Sequence, residues 1–121
     1  MIASLFAAAA LTSVAGDFNH DGRPDRAYVR PDGAAGQLVV ELASGPVVVI
    51  SSVESSADFY FEKLSPGTYA TACAKGHGVA RTCRVTKVDV RGDALQFGTR
   101  EASQAAAVWE NGRFAVYWLS D

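Results

Sequence analysis

The feature that most constrains this chain is a short run, Asp17 to Asp25, in which oxygen-bearing side chains fall at alternate positions. These residues are Asp17, Asn19, Asp21 and Asp25. Carboxylates this close repel one another unless a divalent cation lies among them, and calcium prefers about six to eight oxygen ligands. Gly22 permits a sharp bend because it has no Cβ. The spacing predicts a calcium loop, completed by the backbone carbonyl of Arg23. The alternative is a solvated Asx-rich turn.

The residues that follow the loop distinguish it from an EF-hand. The twelfth position of an EF-hand loop is a bidentate Glu, and here that position is Tyr28. The apolar run that begins at Ala27 has the pattern of a strand and not of a helix. We therefore expect a calcium loop in front of a β-strand, with the ion in a structural role.

The segment from Gly16 to Val29, GDFNHDGRPDRAYV, resembles the calcium loop of FG-GAP and VCBS-type repeats, the blades of integrin-like β-propellers. The resemblance implies that calcium is bound by one set of residues. That set is Asp17, Asn19, Asp21 and Asp25 through their side chains and Arg23 through its carbonyl. A propeller needs at least about four blades, so only the clamped turn is implied and not the whole fold. The wider chain is similar to small bacterial exported proteins.

Short apolar segments separated by turn residues predict a mainly β fold. The predicted strands cover 26–30, 37–43, 47–51, 59–61, 68–73, 83–90, 94–97, 108–109 and 114–119. Asn111-Gly112 predicts a tight hairpin between the last two segments, since both turn positions need positive φ. We expect about seven or eight antiparallel strands in a small barrel or sandwich, because such a sheet must protect its edges.

Helix is expected at one place at most. Residues 100–107, with their alanines, predict either one or two helical turns or a loop that leads into the last hairpin. Along the last strand, Phe114, Val116 and Trp118 share one face and both faces are apolar, which favours a central strand or a covered sheet. Trp109, Tyr117 and Phe97 are interpreted as core aromatics and not as a binding platform.

The amino-terminal segment predicts export from a bacterial cell. Residues 1–15 carry no charged side chain, are too short to span a bilayer and end in Ser13-Val14-Ala15, a pattern typical of a signal peptide. The alternative is an alanine-rich first helix. Residues 16–121 are expected to form one β domain, in the periplasm or secreted, with no transmembrane segment. The net charge of −2, without a basic stripe, argues against nucleic acid as a partner.

The chain has two cysteines, Cys73 and Cys83. An even count in a small exported domain predicts a disulfide between them. The alternatives are two reduced core thiols or, less favoured, a zinc site. Between the cysteines, Lys75, His77 and Arg81 predict a basic patch that could bind an anion. The alternative, which is favoured, is a solvated loop.

Catalysis has little support in the sequence. Arg91-Gly92-Asp93 is interpreted as turn chemistry and not as an integrin-recognition tripeptide. Glu101, Glu110 and Asp121 are the only carboxylates considered for a catalytic pair, and nothing in the sequence brings them together. We expect a non-catalytic, calcium-stabilised binding or structural module whose partner is a protein or a component of the cell envelope. The alternatives are a periplasmic inhibitor of a cell-wall hydrolase and, less favoured, a calcium-dependent hydrolase.

Overall fold

The computed structural model describes residues 13–33, 35–54, 59–74, 85–99 and 103–120, and these form ten strands and no helix. The strands are β1 Val14–Gly16, β2 Asp25–Asp32, β3 Ala35–Glu41, β4 Val47–Val53, β5 Phe59–Leu64, β6 Gly67–Ala70, β7 Lys87–Val90, β8 Ala94–Thr99, β9 Gln104–Glu110 and β10 Arg113–Ser120. The prediction of a mainly β fold is confirmed. Within this part of the chain, no helix of the length and apolarity that a membrane span requires is found.

All the strand pairs are antiparallel, and they form three open sheets. The first sheet has the order β1-β2-β3-β4, the second β10-β9-β8-β5, and β6 with β7 makes a two-stranded ribbon. The described strands form no closed barrel, so the barrel alternative is wrong for this part of the chain. The described residues form ten strands, more than the predicted seven or eight, and β1 is the strand that the prediction did not include.

Two apolar cores hold these sheets together. The larger core joins the first sheet to one face of the second and contains Phe18, Leu38, Val40, Leu95 and Phe97. The smaller core lies on the other face of the second sheet, where side chains of the ribbon contact those of β8, β9 and β10. The second sheet is therefore the middle layer of three, and it must be apolar on both faces.

This middle position explains why the prediction for residues 104–107 is wrong. They belong to strand β9, not to a helix or a loop. Ala105 and Ala107 face the larger core, and Ala106 faces the smaller one. All three are buried, and their small side chains let both neighbouring layers approach closely. Burial on both faces overrides the helix preference of alanine.

Of the two alternatives predicted for strand β10, the central strand is wrong, because β10 is an edge strand of the second sheet, and the covered sheet is confirmed for one of its faces. Its Tyr117 and Leu119 face is covered by the ribbon. Val116 and Trp118 lie opposite Ala107 and Ala105, on the face toward the first sheet, yet 41% and 49% of their surface is exposed. The first sheet does not extend far enough to cover them. The interpretation of Phe97 as a core residue is confirmed, since it is 2% exposed.

Three local predictions can be compared directly with the structure. The Asn111-Gly112 turn is confirmed, with φ values of 54° and 79°. The predicted strand 83–90 is too long, because Val85 and Thr86 precede β7. The acidic loop does not precede the first strand, because β1 comes before it and pairs with β2.

The end of the predicted signal peptide, after Ala15, lies within strand β1. Val14 pairs with Ala27 and packs against the larger core. Cleavage after Ala15 would leave only Gly16 of this strand. Residues 1–12 lie outside the described residues, so the leader stays a prediction.

The close approach of backbone at Gly98 yields a test of the fold. A Cβ at this position would lie 2.1 Å from the carbonyl oxygen of Ser103, and φ is 156°. We expect Gly98→Ala to lower the free energy of unfolding by about 2–4 kcal/mol, because the backbone must move. Gly45→Ala, with φ of 120° and open space around it, should cost about 1 kcal/mol. Urea denaturation measures both, and equal losses would contradict the structure.

Candidate metal site

The acidic loop joins β1 to β2, and a buried aromatic ring attaches it to the rest of the molecule. Gly16 pairs with Asp25 at the base of the loop. Phe18 is the largest side chain that is fully buried, and it packs in the larger core. Burial of such a ring contributes about 2–3 kcal/mol. The loop is therefore held by its second residue while its other side chains stay near the surface.

Asp25 is the best-buried carboxylate in the described residues, with 3% of its surface exposed. Its Oδ2 accepts hydrogen bonds from the backbone N–H groups of Phe18 at 2.8 Å and Asn19 at 3.3 Å. Its Oδ1 accepts one from the N–H of Ala43 at 2.8 Å, just after β3. A buried charge is tolerated only when such donors compensate for lost water. Asp25 thus joins the loop to the neighbouring hairpin.

Asp17 shapes the loop through backbone donors. Its Oδ1 accepts from the N–H of Asp21 at 3.0 Å and its Oδ2 from the N–H of Gly22 at 2.8 Å. These bonds draw the chain into a tight bend, with Gly22 at a φ of 87°. Each carboxylate oxygen keeps a second lone pair for a further contact. The carboxylate is therefore already oriented before any ion is considered.

Asp21 lies at the surface and is partly neutralised by Arg23. Its Oδ1 accepts the backbone N–H of Arg23 at 3.0 Å, and its Oδ2 lies 3.3 Å from the guanidinium Nη2. The backbone hydrogen bond, followed by the charge of Arg23, lowers the pKa of Asp21 below its usual value of 3.8. The carboxylate is therefore ionised at neutral pH and available to a cation.

The side chain of Asn19 lies between the carboxylates of Asp21 and Asp25. One terminal position of its amide lies 3.2 Å from Asp25 Oδ2 and 3.1 Å from Asp21 Oδ1. With nitrogen at that position, the amide donates two hydrogen bonds. With oxygen there, three oxygens converge, and they require a cation. Two oxygens about 2.4 Å from a common calcium ion and about 80° apart would lie at each of these two distances.

The predicted ligands are thus only partly brought together. Asn19, Asp21 and Asp25 converge, whereas the Asp17 oxygens are directed at backbone N–H groups. Counting only His, Cys, Asp and Glu side chains, no group of three in the described part of the chain could hold a metal ion. The expectation that the bare loop is frustrated is weakened, because N–H groups and Arg23 meet its negative charge. The set fits calcium in one orientation of Asn19.

A contact that the sequence does not predict joins the loop to the turn between β7 and β8. The backbone N–H of Asp17 donates to Asp93 Oδ2 at 2.9 Å. The backbone of His20 has a φ of 58°. Its ring Nε2 hydrogen-bonds to the carbonyl of Asp93 at 3.0 Å, and the ring lies against Gly92. His20 is exposed. Arg91-Gly92-Asp93 lies at the turn between β7 and β8, as expected. Their partnership leaves no signal in local sequence.

Several weaker predictions fall partly or wholly outside the described residues. Lys75, His77, Arg81 and Cys83 lie there, so the basic patch and the Cys73–Cys83 disulfide stay predictions. Cys73 is half-buried beside β10. Of the three carboxylates considered for catalysis, Glu101 and Asp121 also lie outside. Glu110 is described, and it accepts a short hydrogen bond from the phenol of Tyr117.

No protein-family model matches this chain, and no curated protein or solved structure matches it. The likeness of residues 16–29 to FG-GAP and VCBS loops therefore stays a prediction from the sequence.

The hydrogen bonds of Asp25 make a first prediction for this site. Asp25→Asn replaces one acceptor oxygen by an NH₂ group that must face a backbone N–H. We expect a loss of about 2–3 kcal/mol in the free energy of unfolding, since a buried donor is left unpaired. Asp32→Asn, at the exposed end of β2, should change it by less than about 0.5 kcal/mol. Urea denaturation in EDTA measures both, and an Asp25→Asn loss as small as the control would contradict this role.

The Tyr117–Glu110 pair makes a second prediction. The hydrogen bond to Glu110 raises the pKa of the Tyr117 phenol above its usual value of 10.0. The stability from this bond is complete below pH 10 and is lost as the pH rises through the raised pKa. In an ultraviolet titration, the difference between the wild-type protein and Tyr117→Phe gives the tyrosinate signal of Tyr117. The midpoint of this signal should lie above pH 10. Glu110→Gln should lower that midpoint, and an unchanged midpoint would contradict the assignment.

Proposed function

We propose that this chain is an exported, non-catalytic binding or structural module whose acidic loop holds one calcium ion that stabilises the fold. The observation that carries the proposal is the convergence of Asn19, Asp21 and Asp25 around one amide position, 3.1 and 3.2 Å from two carboxylate oxygens. Hard oxygen donors of this kind are the ligands that calcium prefers. The chemistry is that of a structural ion, which neutralises carboxylates and draws their backbone together.

The loop would bind the ion after two local changes, a turn of the Asn19 amide and the loss of the longer of the two N–H bonds to Asp25 Oδ2, the one from Asn19. Asp25 is fixed by its backbone donors, and Phe18 anchors the turn beside it. The second lone pairs of Asp17 and the carbonyl of Arg23 would complete the ligand set. The turn of the Asn19 amide directs its oxygen inward in place of two hydrogen bonds. A preformed loop loses little conformational entropy on binding.

The ion would act beyond the loop through the contacts with Asp93. A rigid loop orders β1 and β2 at its base, and the Asp17 and His20 bonds extend this order to the turn before β8. Binding only to the folded chain stabilises it by mass action, about 2.7 kcal/mol at a hundredfold excess of calcium over Kd. Export and the Cys73–Cys83 disulfide belong to the same proposal, and they rest on the sequence.

A calcium titration tests the proposal. We expect saturating calcium to raise the melting temperature by roughly 10 °C, the shift that this stabilisation gives for a domain of about 100 residues. In Asp21→Ala the shift should largely disappear, while in Asp32→Ala, the control outside the loop, it should persist. In parallel, the side-chain amide signals of Asn19 in a ¹⁵N spectrum should move with calcium.

The controls separate specific binding from salt effects. Sodium chloride at the same ionic strength should leave the melting temperature unchanged, because it supplies the same screening of charges without binding in the loop. If calcium changes neither the wild-type melting temperature nor the Asn19 signals, the proposal of a calcium ion in this loop is wrong.

A further inference from the structure

The uncovered part of β10 borders a cavity of about 330 Å³ near the carboxyl end of β4. Phe59, Phe97 and Trp118 form its aromatic lining. The ring centroids of Phe59 and Phe97 are 6.4 Å apart, and those of Phe97 and Trp118 are 6.3 Å apart in an edge-to-face arrangement. The cavity shares no lining residue with the acidic loop.

Trp118 is the unusual member of this group. It lies on the core-facing side of the second sheet, opposite Ala105, but half of its surface is open. Tryptophan is usually well covered, and an exposed large apolar side chain beside a cavity is a mark of a binding surface. The ring therefore offers surface to a ligand and is already held by Phe97.

The polar part of the lining is negative. Glu54 is the one charged residue among the described residues that border the cavity, and none of those residues is cationic. Thr99 and Ser103 bond to each other, with hydroxyl oxygens 3.2 Å apart and a backbone bond of 3.0 Å, so their positions are set without a ligand. Aromatic faces attract cations through the quadrupole of the ring, and a carboxylate attracts them through its full negative charge.

We infer that this cavity binds an organic cation with an alkylated ammonium head, such as the trimethylammonium group of choline. The accessible rings of Trp118 and Phe59, with the buried ring of Phe97 behind them and one carboxylate beside them, are the chemistry that recognises such a cation, which is large, weakly hydrated and apolar on its surface. A metal ion would lack enough oxygen ligands here, and an anion would face Glu54. The inference gives the binding role proposed above a ligand class, and it does not require calcium in the loop.

The test compares choline with 3,3-dimethylbutan-1-ol, which has the same shape but no charge. In Trp109→Phe, Trp118 is the remaining one of the chain's two tryptophans, and its fluorescence reports on the cavity. We expect choline to bind at least about fivefold more tightly than the alcohol. Equal binding of the two would overturn the cation assignment, and no response to choline up to its solubility limit would overturn the site.

Variants locate the effect. Glu54→Gln should weaken choline binding and leave binding of the alcohol unchanged, whereas Glu62→Gln, on the exposed part of β5, should change neither. Trp118→Leu, followed by calorimetry, should abolish the preference for choline. Unaltered choline binding in both Glu54→Gln and Trp118→Leu would overturn the location. Repeating the titration in EDTA and in calcium separates this site from the metal loop, and equal choline affinity is expected in both.

Discussion

The buried carboxylate of Asp25 is the interaction on which the arrangement of the loop and the first sheet depends. One residue closes the β1–β2 hairpin, holds the N–H groups of Phe18 and Asn19, and reaches the N–H of Ala43 beyond β3. A carboxylate can be buried only with such donors, so its charge constrains three stretches of chain at once. The insertion of Phe18 into the larger core then follows from where this carboxylate holds the turn.

The acidic loop illustrates a competition between two ways of stabilising carboxylates. Backbone N–H groups and Arg23 satisfy the carboxylates of Asp17, Asp21 and Asp25 without an ion. The orientation of the Asn19 amide determines whether a neutral oxygen or an NH₂ group faces the carboxylate oxygens of Asp21 and Asp25. The N–H bonds to Asp17 and Asp25 shape the bend in either orientation of this amide. The N–H of Asp17 joins the loop to Asp93 at the turn before β8.

The layered architecture explains both the compact centre and the open side of the molecule. The second sheet is covered by the first sheet on one face and by the β6–β7 ribbon on the other, and this requires small residues such as Ala105 and Ala106 in β9. At β10 the coverage is incomplete, since the ribbon protects one face and the first sheet stops short of Trp118. The aromatic cavity lies at this incompletely covered place, between the end of β4 and Trp118.

The sequence by itself determined that the fold is mainly β and that Asn111-Gly112 forms a tight turn, since turn chemistry and period-2 patterning are local properties. It did not determine that residues 104–107 form a strand, that β10 is an edge strand or that Asp93 accepts a hydrogen bond from the N–H of Asp17. These depend on contacts between residues far apart in the chain, where burial on two faces outweighs the helix preference of alanine. Tertiary structure alone decided them, because strand order and exposure are set by which layers meet.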